Sequence, residues 1–169
     1  MRSTDLVVTR WGARFRGRRL PCAIGRGGMS GSKSEGDGAT PVGVWRIVGA
    51  KYRADRVWCR ADTAFPLSPI SPGDIWSDDP ADPAYNHGLR APGHRFSHER
   101  MRRGDRLYDL VLVTDYNWPN AKPGAGSAIF LHRWRKPRHP TEGCVAFAPK
   151  DLRWIAQNWT QTSRLIVRG

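Results

Sequence analysis

Short apolar runs, separated by glycine- and proline-containing turns, recur along most of the chain and favour a β-rich fold. These strand-like runs are 5–10, 13–15, 19–25, 43–53, 105–117, 127–132, 144–147 and 164–168. One stretch differs, because Leu152, Ile155, Ala156 and Trp159 follow the i, i+3, i+4, i+7 spacing of an amphipathic helix. The patterns together predict a mostly β protein with one or two short α-helices.

The segment 60–105 interrupts this regular pattern. It contains few apolar runs and many Pro, Asp and Gly residues, with "SDDPADPAYNHG" near its centre. A short helix is predicted to begin near Ser97, in "SHERMRR". The segment is too long for a simple connection in a compact domain. We therefore expect a single domain over residues 1–169, in which 60–105 is an irregular insertion or a lid.

The charge balance limits the partners that the surface favours. The chain has 28 Lys and Arg against 15 Asp and Glu, a net charge of +13. Such a surface attracts polyanions: nucleic acid, an anionic membrane surface, or a carboxylate-rich polymer such as the bacterial cell wall.

No apolar run approaches the roughly 20 residues of a membrane-spanning helix, so no integral membrane segment is predicted. The first 19 residues show no signal-peptide pattern.

The three cysteines lie at positions 22, 59 and 144 and show no CxxC spacing. Together with the five histidines they form no recognisable zinc pattern, so no metal site is predicted. Cys22 and Cys59 are predicted to be core residues, and the sequence leaves open whether they form a disulfide. At least one of the three thiols must stay unpaired within the chain.

A histidine and a cysteine flank the basic loop in "AIFLHRWRKPRHPTEGCVAF". His132 ends one apolar run, and Cys144 begins the next, twelve residues later. If the two strands are neighbours, His132 lies close enough to activate Cys144, and an imidazolium would lower the pKa of the thiol. The amides of Gly143 and Cys144 are candidate oxyanion donors, and the Arg133 carbonyl is the nearest group to orient His132. The alternative is that Cys144 is a buried core residue.

Two motifs carry a resemblance to a known family. The stretch "IFLH…PTEGCVAF" resembles the active-site signature of the L,D-transpeptidases, the YkuD-type catalytic domain. In that signature a strand ends in histidine, and a loop leads to Ser-His-Gly-Cys-apolar-Arg. The stretch "ATPVGVWRI" at 39–47 is similar to the family's Thr-Pro-x-Gly motif and precedes it in the expected order. The resemblance covers about 20–50 and 105–155 and implies a β-sandwich or open-barrel catalytic domain.

The resemblance implies cell-wall chemistry. Cys144 would attack the carbonyl of an L-residue joined to a D-residue in a peptidoglycan stem peptide, and His132 would move the protons. An amine of a neighbouring stem would resolve the thioester, which gives a 3→3 cross-link or, from the other L-to-D bond, a 1→3 cross-link. If water or a D-amino acid resolves it, the enzyme is an L,D-carboxypeptidase or an exchange enzyme. The family needs no cofactor, is acylated by carbapenems, and acts in the periplasm or cell envelope.

The chain departs from the family pattern at three positions: Thr141 replaces Ser, Glu142 replaces His, and Ala146 replaces Arg. One of Arg133, Arg135 or Arg138 is a candidate to replace the missing arginine. The predicted substrate-binding residues are Thr141, Glu142, Arg138, Tyr85, Asn86, His98 and Glu99. A rival reading, a non-catalytic module that binds nucleic acid or glycan, rests on the charge and on Trp134. No nucleic-acid motif appears, so we expect the chain to bind peptidoglycan and not nucleic acid. We also expect a monomer.

Overall fold

A computed structural model describes residues 1–56 and 63–169. Within these residues the chain forms short strands in four sheets, together with the helix α1 (Pro149–Asn158). The strands are β1 (Leu6–Thr9), β2 (Gly12–Phe15), β3 (Arg18–Leu20), β4 (Cys22–Ala23), β5 (Met29–Ser30), β6 (Thr40–Pro41), β7 (Gly43–Trp45), β8 (Ile47–Tyr52), β9 (Leu67–Pro69), β10 (Asp74–Ser77), β11 (Gly88–Arg90), β12 (His98–Arg100), β13 (Leu110–Thr114), β14 (Phe130–Arg133), β15 (Val145–Phe147) and β16 (Leu165–Val167). The prediction of a mostly β fold is confirmed.

The largest sheet has the strand order β4-β15-β14-β13-β8-β9. Strand β13 is buried along its whole length because both of its faces are covered. Leu110 and Leu112 face the main core, while Val111 and Val113 face a second hydrophobic cluster, as the two-residue period of a strand requires. The sheet is therefore packed on both sides at the strands that lead to the basic loop.

A five-stranded sheet, β3-β2-β1-β16-β7, and helix α1 complete the main core. Leu6 and Phe15 from this sheet join Leu131 from the large sheet and Leu152 from α1 in one cluster. The helix starts with Pro149 in its first turn, where the missing N–H costs no hydrogen bond. The amphipathic pattern at 149–159 therefore produces the predicted helix, and its apolar face contributes to the core.

The segment predicted to be an irregular insertion contains a sheet of its own. Strand β10 pairs with β11 on one side and with β12 on the other, both antiparallel. The predicted short helix near Ser97 is wrong, because His98–Arg100 forms β12 and Glu99 lies opposite Trp76. The backbone pairing with β10 overrides the weak helical preference of these residues.

Cys22 is buried in β4, beside β15. Cys59 lies outside the described residues, so the structure does not test a disulfide between Cys59 and Cys22. Among the described residues no helix has both the length and the apolarity to cross a bilayer.

Candidate active site

His132 lies on β14, and Cys144 directly precedes the neighbouring parallel strand β15. In the register of β14 and β15, Leu131 is opposite Val145 and His132 is opposite Ala146, so Cys144 lies beside Phe130 at the start of β15. Because the side chains of Phe130 and His132 are two residues apart on β14, both face away from the main core. Cys144 and His132 line the same cavity, which has a volume of about 340 Å³. The strand arrangement on which the sequence-based hypothesis depended is therefore present.

The position of His132 leaves one ring nitrogen available as a base. The side chain is buried, and Nδ1 lies 2.7 Å from the carbonyl oxygen of Arg133. Because a carbonyl oxygen only accepts, Nδ1 carries the proton and Nε2 has a free lone pair. The ring of Tyr108 packs edge-on against the imidazole, with 5.4 Å between the centroids. The Arg133 contact has the geometry that the sequence suggested, and its catalytic role stays a prediction.

Burial keeps both His132 and Cys144 neutral near pH 7. It lowers the pKa of His132 to about 4, and the hydrogen bond to Arg133 opposes this shift only in part. It also raises the pKa of the Cys144 thiol to about 12, against a smaller opposing effect of the Phe130 amide. In the free protein these shifts favour a neutral thiol beside a neutral imidazole over a thiolate–imidazolium pair. The thiol of the free protein therefore carries its proton.

The hydrogen bonds of the Cys144 sulfur show where that proton starts. The Phe130 N–H donates to Sγ at 3.4 Å, and Sγ donates to the Ala128 carbonyl oxygen at 3.1 Å. A thiol is a weak donor, so rotation about Cβ–Sγ towards His132 sacrifices little free energy. The sulfur is thus held in place by the backbone of 128–130 while its proton stays free to turn.

The backbone at Gly143 and Cys144 forms a tight turn. Gly143 has a φ of +135°, and a Cβ there would lie 2.9 Å from the carbonyl oxygen of Ala39. Its amide donates to the Thr141 hydroxyl at 3.1 Å, and that hydroxyl donates to the Cys144 carbonyl at 2.6 Å. Within the described part of the chain the Cys144 amide has no hydrogen-bond partner. Of the two candidate oxyanion donors, the Cys144 amide is therefore open, whereas the Gly143 amide is engaged by Thr141.

The Thr40 hydroxyl hydrogen-bonds to the turn that carries Gly143 and Cys144, a contact that sequence reasoning missed. Its side chain is fully buried, and its hydroxyl accepts from the Gly25 amide and donates to the Gly143 carbonyl, each at 2.9 Å. The "ATPVGVWRI" motif was recognised, but its contact with the cysteine turn was not predicted. One hydroxyl thus links the glycine turn after β4 to the turn that carries Cys144.

Three of the predicted substrate-binding residues line the cavity: Thr141, Glu142 and Glu99. Glu142 is exposed and forms an ion pair with Arg26 at 2.6 Å. Glu99 accepts from Arg103 and from the Tyr108 hydroxyl, each at 3.3 Å, and burial raises its pKa. The carboxylate at the position of the family's histidine is therefore paired, at the cavity, with Arg26, a basic residue that follows β4.

Asn86, by contrast, is a buried part of the scaffold. Its Oδ1 accepts from the Trp76 indole at 2.9 Å and from the Ala128 amide at 3.0 Å. Its Nδ2 donates to the carbonyls of Tyr116 and Asn117. All of its polar atoms are thus used inside the protein, and it supports the backbone at Ala128, the acceptor of the Cys144 thiol. A substrate contact by Asn86 does not fit this geometry.

Three other predicted contacts also lie away from the cavity that contains Cys144. Tyr85 is buried, donates to the Glu35 carboxylate and accepts from the Gly126 amide at 3.0 Å. His98 lines a shallow cavity beside β10, and Arg138 lines a cavity on the β2–β3 side. Sequence proximity to the motif suggested Arg138, but the left-handed turn at this residue directs it to another face.

The lining also contains titratable residues that were not predicted, and with them Arg135, one of the candidates to replace the family's arginine. The unpredicted titratable residues are Glu35, Asp78, Arg103, Tyr108 and His139. The Oδ1 atom of Asp78 is buried and has no hydrogen-bond partner among the described residues. The lining therefore presents both carboxylates and guanidinium groups, which suits a peptide with free amine and carboxylate groups. These residues come from separate loops, so no local sequence pattern identifies them. Among the described residues no group of three or more His, Cys, Asp or Glu side chains is arranged to hold a metal ion.

One comparison with known proteins identifies the family of this chain. The family model of the L,D-transpeptidase catalytic domain (YkuD) matches residues 4–167. Because the match spans nearly the whole chain, the protein belongs to the L,D-transpeptidase catalytic-domain family. Searches of curated proteins and of solved structures gave no significant match. The family consists of transpeptidases that act on peptidoglycan, so the resemblance read from the two motifs is confirmed at the level of the family.

Proposed function

We propose that this protein is a peptidoglycan L,D-transpeptidase in which Cys144 is the nucleophile and His132 the general base. One observation carries the proposal. His132, with a free Nε2, and the buried thiol of Cys144 line the same cavity, His132 from β14 and Cys144 from directly before the neighbouring β15. A base with a pKa below neutral pH is unprotonated when it must accept the thiol proton. Family membership supplies the substrate class, peptidoglycan stem peptides.

The proposed reaction has two acyl-transfer steps. His132 takes the proton from Cys144 as the sulfur attacks the carbonyl carbon of an L-residue. The peptide bond to the following D-residue then breaks, and the imidazolium gives its proton to the departing amine. In the second step His132 deprotonates the amine of an acceptor stem. The amine attacks the thioester, the C–S bond breaks, and the thiol takes the proton back.

The free Cys144 amide is the proposed oxyanion donor, because it needs no other bond to break first. Gly143 contributes a second donor if Thr141 releases its amide when the substrate binds. Glu99 and Asp78, from the segment 60–105, line the cavity. We therefore assign this segment, within a single catalytic domain, the role of a substrate wall or lid.

The donor is proposed to be position 3 of the stem, which gives 3→3 cross-links, and a position 1 donor with 1→3 cross-links is the alternative. Carboxypeptidase or D-amino-acid exchange activity follows if water or a D-amino acid resolves the thioester. The substrate lies in the cell envelope, so the periplasm is the proposed location. Cross-linking needs no second subunit, and we propose a monomer.

The decisive experiment is intact-mass measurement after incubation with a carbapenem. We expect one adduct on the wild type and none on Cys144→Ala, with both proteins folded by circular dichroism. A folded wild type that stays unmodified after long incubation refutes the catalytic proposal and favours a non-catalytic binding module. Muropeptide profiles from cells that express the protein then separate 3→3 dimers, 1→3 dimers and trimmed monomers. Catalytic cross-linking predicts dimers that are absent with Cys144→Ala.

A further inference from the structure

A second cavity, of about 640 Å³, lies on the face formed by the β2–β3 hairpin. Three arginines line it, Arg14 on β2, Arg19 on β3 and Arg138 on the basic loop, together with the exposed ring of Trp11. Trp11 is 74% exposed, and the guanidinium of Arg10 stacks over it at 4.6 Å from the ring centroid. The cavity thus combines several fixed positive charges with one open aromatic face.

The pairing of Arg14 with Arg19 favours a bound anion. The two residues lie directly opposite each other in the antiparallel register of β2 and β3. Like charges at opposite positions destabilise a strand pair, and both side chains are exposed. Among the described residues neither forms an ion pair with a carboxylate, and neither does Arg138. An anionic ligand would relieve this repulsion and satisfy the guanidinium donors.

The basic loop connects this cavity to the one that contains Cys144. Arg135 and His139 line the Cys144 cavity, whereas Arg138, between them in sequence, lines the second cavity. The positive φ of Arg138, +57°, marks the turn that directs it to the other side of the loop. One short loop therefore forms a wall of both cavities, and a polymer that leaves the first can cross this loop to the second.

We propose that the second cavity binds a carboxylate-bearing stretch of peptidoglycan next to the stem that reacts at Cys144. Arginine forks bind carboxylates in a bidentate way, and an exposed tryptophan offers a stacking face for a sugar ring. The identity of the polymer rests on the proposed function, whereas the anion-binding property rests on the arginines alone. The site anchors the enzyme on the polymer and does not take part in acyl transfer.

The test compares two double variants that remove the same charge. Arg14→Gln/Arg19→Gln alters the cavity, and Arg95→Gln/Arg153→Gln removes two exposed arginines that line none of the described cavities. Each is made in the Cys144→Ala background and co-sedimented with purified peptidoglycan sacculi. We expect the cavity variant to bind roughly tenfold more weakly at moderate salt. The control is expected to stay within about twofold, because distant surface charges are screened.

The same cavity substitutions with Cys144 intact are tested for carbapenem acylation, which we expect to be unchanged because the second cavity does not contact the thiol. Equal sacculus binding by the two double variants overturns the second site. Selective loss of binding to a DNA duplex, with sacculus binding kept, assigns the cavity to nucleic acid and also overturns it. An unacylated wild type that still binds sacculi through Arg14 and Arg19 refutes only the catalytic proposal.

Discussion

Cys22 lies on β4 and Cys144 directly before the adjacent strand β15, and the two are nearly equally buried, at 8% and 9% exposure. Burial raises the pKa of Cys22 to about 11 and that of Cys144 to about 12. By burial and by the direction of the pKa shift the two thiols are alike. Neither property identifies a nucleophile here.

The difference lies in what surrounds each sulfur. Cys22 packs among the side chains of the main core, whereas Cys144 lines a cavity together with a histidine whose Nε2 is free. Cys144 also follows a glycine turn that Thr40 and Thr141 hold in shape. A base, a cavity and a shaped backbone, which activation of a thiol requires, are therefore present at Cys144, the proposed nucleophile, and not at Cys22.

Removal of His132 should make Cys144 as unreactive as Cys22. In His132→Ala we expect carbapenem acylation at pH 7 to fall about 10²- to 10⁴-fold, because the protonated thiol loses its base. The measurement is the rate at which the mass adduct appears. The wild-type rate should be nearly flat between about pH 5 and 9, whereas the variant rate should rise about tenfold per pH unit. A variant that reacts at the wild-type rate would show that His132 is not the base.

The buried imidazole of His132 should also make the free energy of unfolding depend on pH in the acidic range. The Cys22 thiol has no such effect, because it stays protonated at acidic pH in both states. Because burial lowers the pKa of His132 to about 4 from 6.5, the folded state resists protonation and the unfolded state does not. This contribution to stability is present above pH 6.5 and is lost as the pH falls towards 4. Between these values we expect the wild type to lose about 3 kcal/mol more unfolding free energy than His132→Ala. Urea denaturation at several pH values measures the difference, and parallel pH profiles would contradict it.

Thr40 tests whether the shaped turn matters apart from the thiol and its base. Thr40→Val leaves the Gly25 amide and the Gly143 carbonyl without their buried partner. We expect acylation to slow about 10- to 100-fold, because a displaced turn moves Cys144 out of alignment. Thr40→Ser keeps the hydroxyl and should stay within a few-fold of the wild type. If Thr40→Val loses stability but acylates normally, the residue is structural only.

Cys22→Ala is the reciprocal test of the comparison. The substitution removes one buried sulfur from the main core, and we expect a loss of roughly 1 kcal/mol of unfolding free energy. The carbapenem acylation rate should not change, because Cys22 is not a cavity residue of the Cys144 site. A lower adduct yield in a folded Cys22→Ala protein would mean that both thiols react.

Glu142 should have the smallest effect on the fold. Its ion pair with Arg26 is exposed, so Glu142→Gln is expected to change stability by less than about 0.5 kcal/mol. A change in KM for a stem peptide, with the carbapenem acylation rate unchanged, would assign Glu142 to substrate binding. Arg26→Gln is the matched control, since it breaks the same pair and leaves the carboxylate in place.

The sequence predicted those parts of the structure that depend on local patterns. The strands around Val111 and Leu131 and the helix with Leu152 follow from periodicity, because each buries one face or both. The prediction was wrong at His98–Arg100, where pairing with β10 outweighs local preference. The contacts of Asn86 and Arg138 could not be predicted either, because burial and backbone turns determine where these side chains lie.

By itself the sequence determined the β-rich class, the family and the His132–Gly143–Cys144 constellation, since these are properties of spacing and residue type. The tertiary structure decided which residues share a cavity, that the Cys144 amide is open, and that burial favours the neutral forms of His132 and Cys144. It brought Thr40, Asp78 and Glu99 to the site from segments far apart in the chain. The physical reason is that burial sets the protonation states and that packing, not chain distance, sets the contacts.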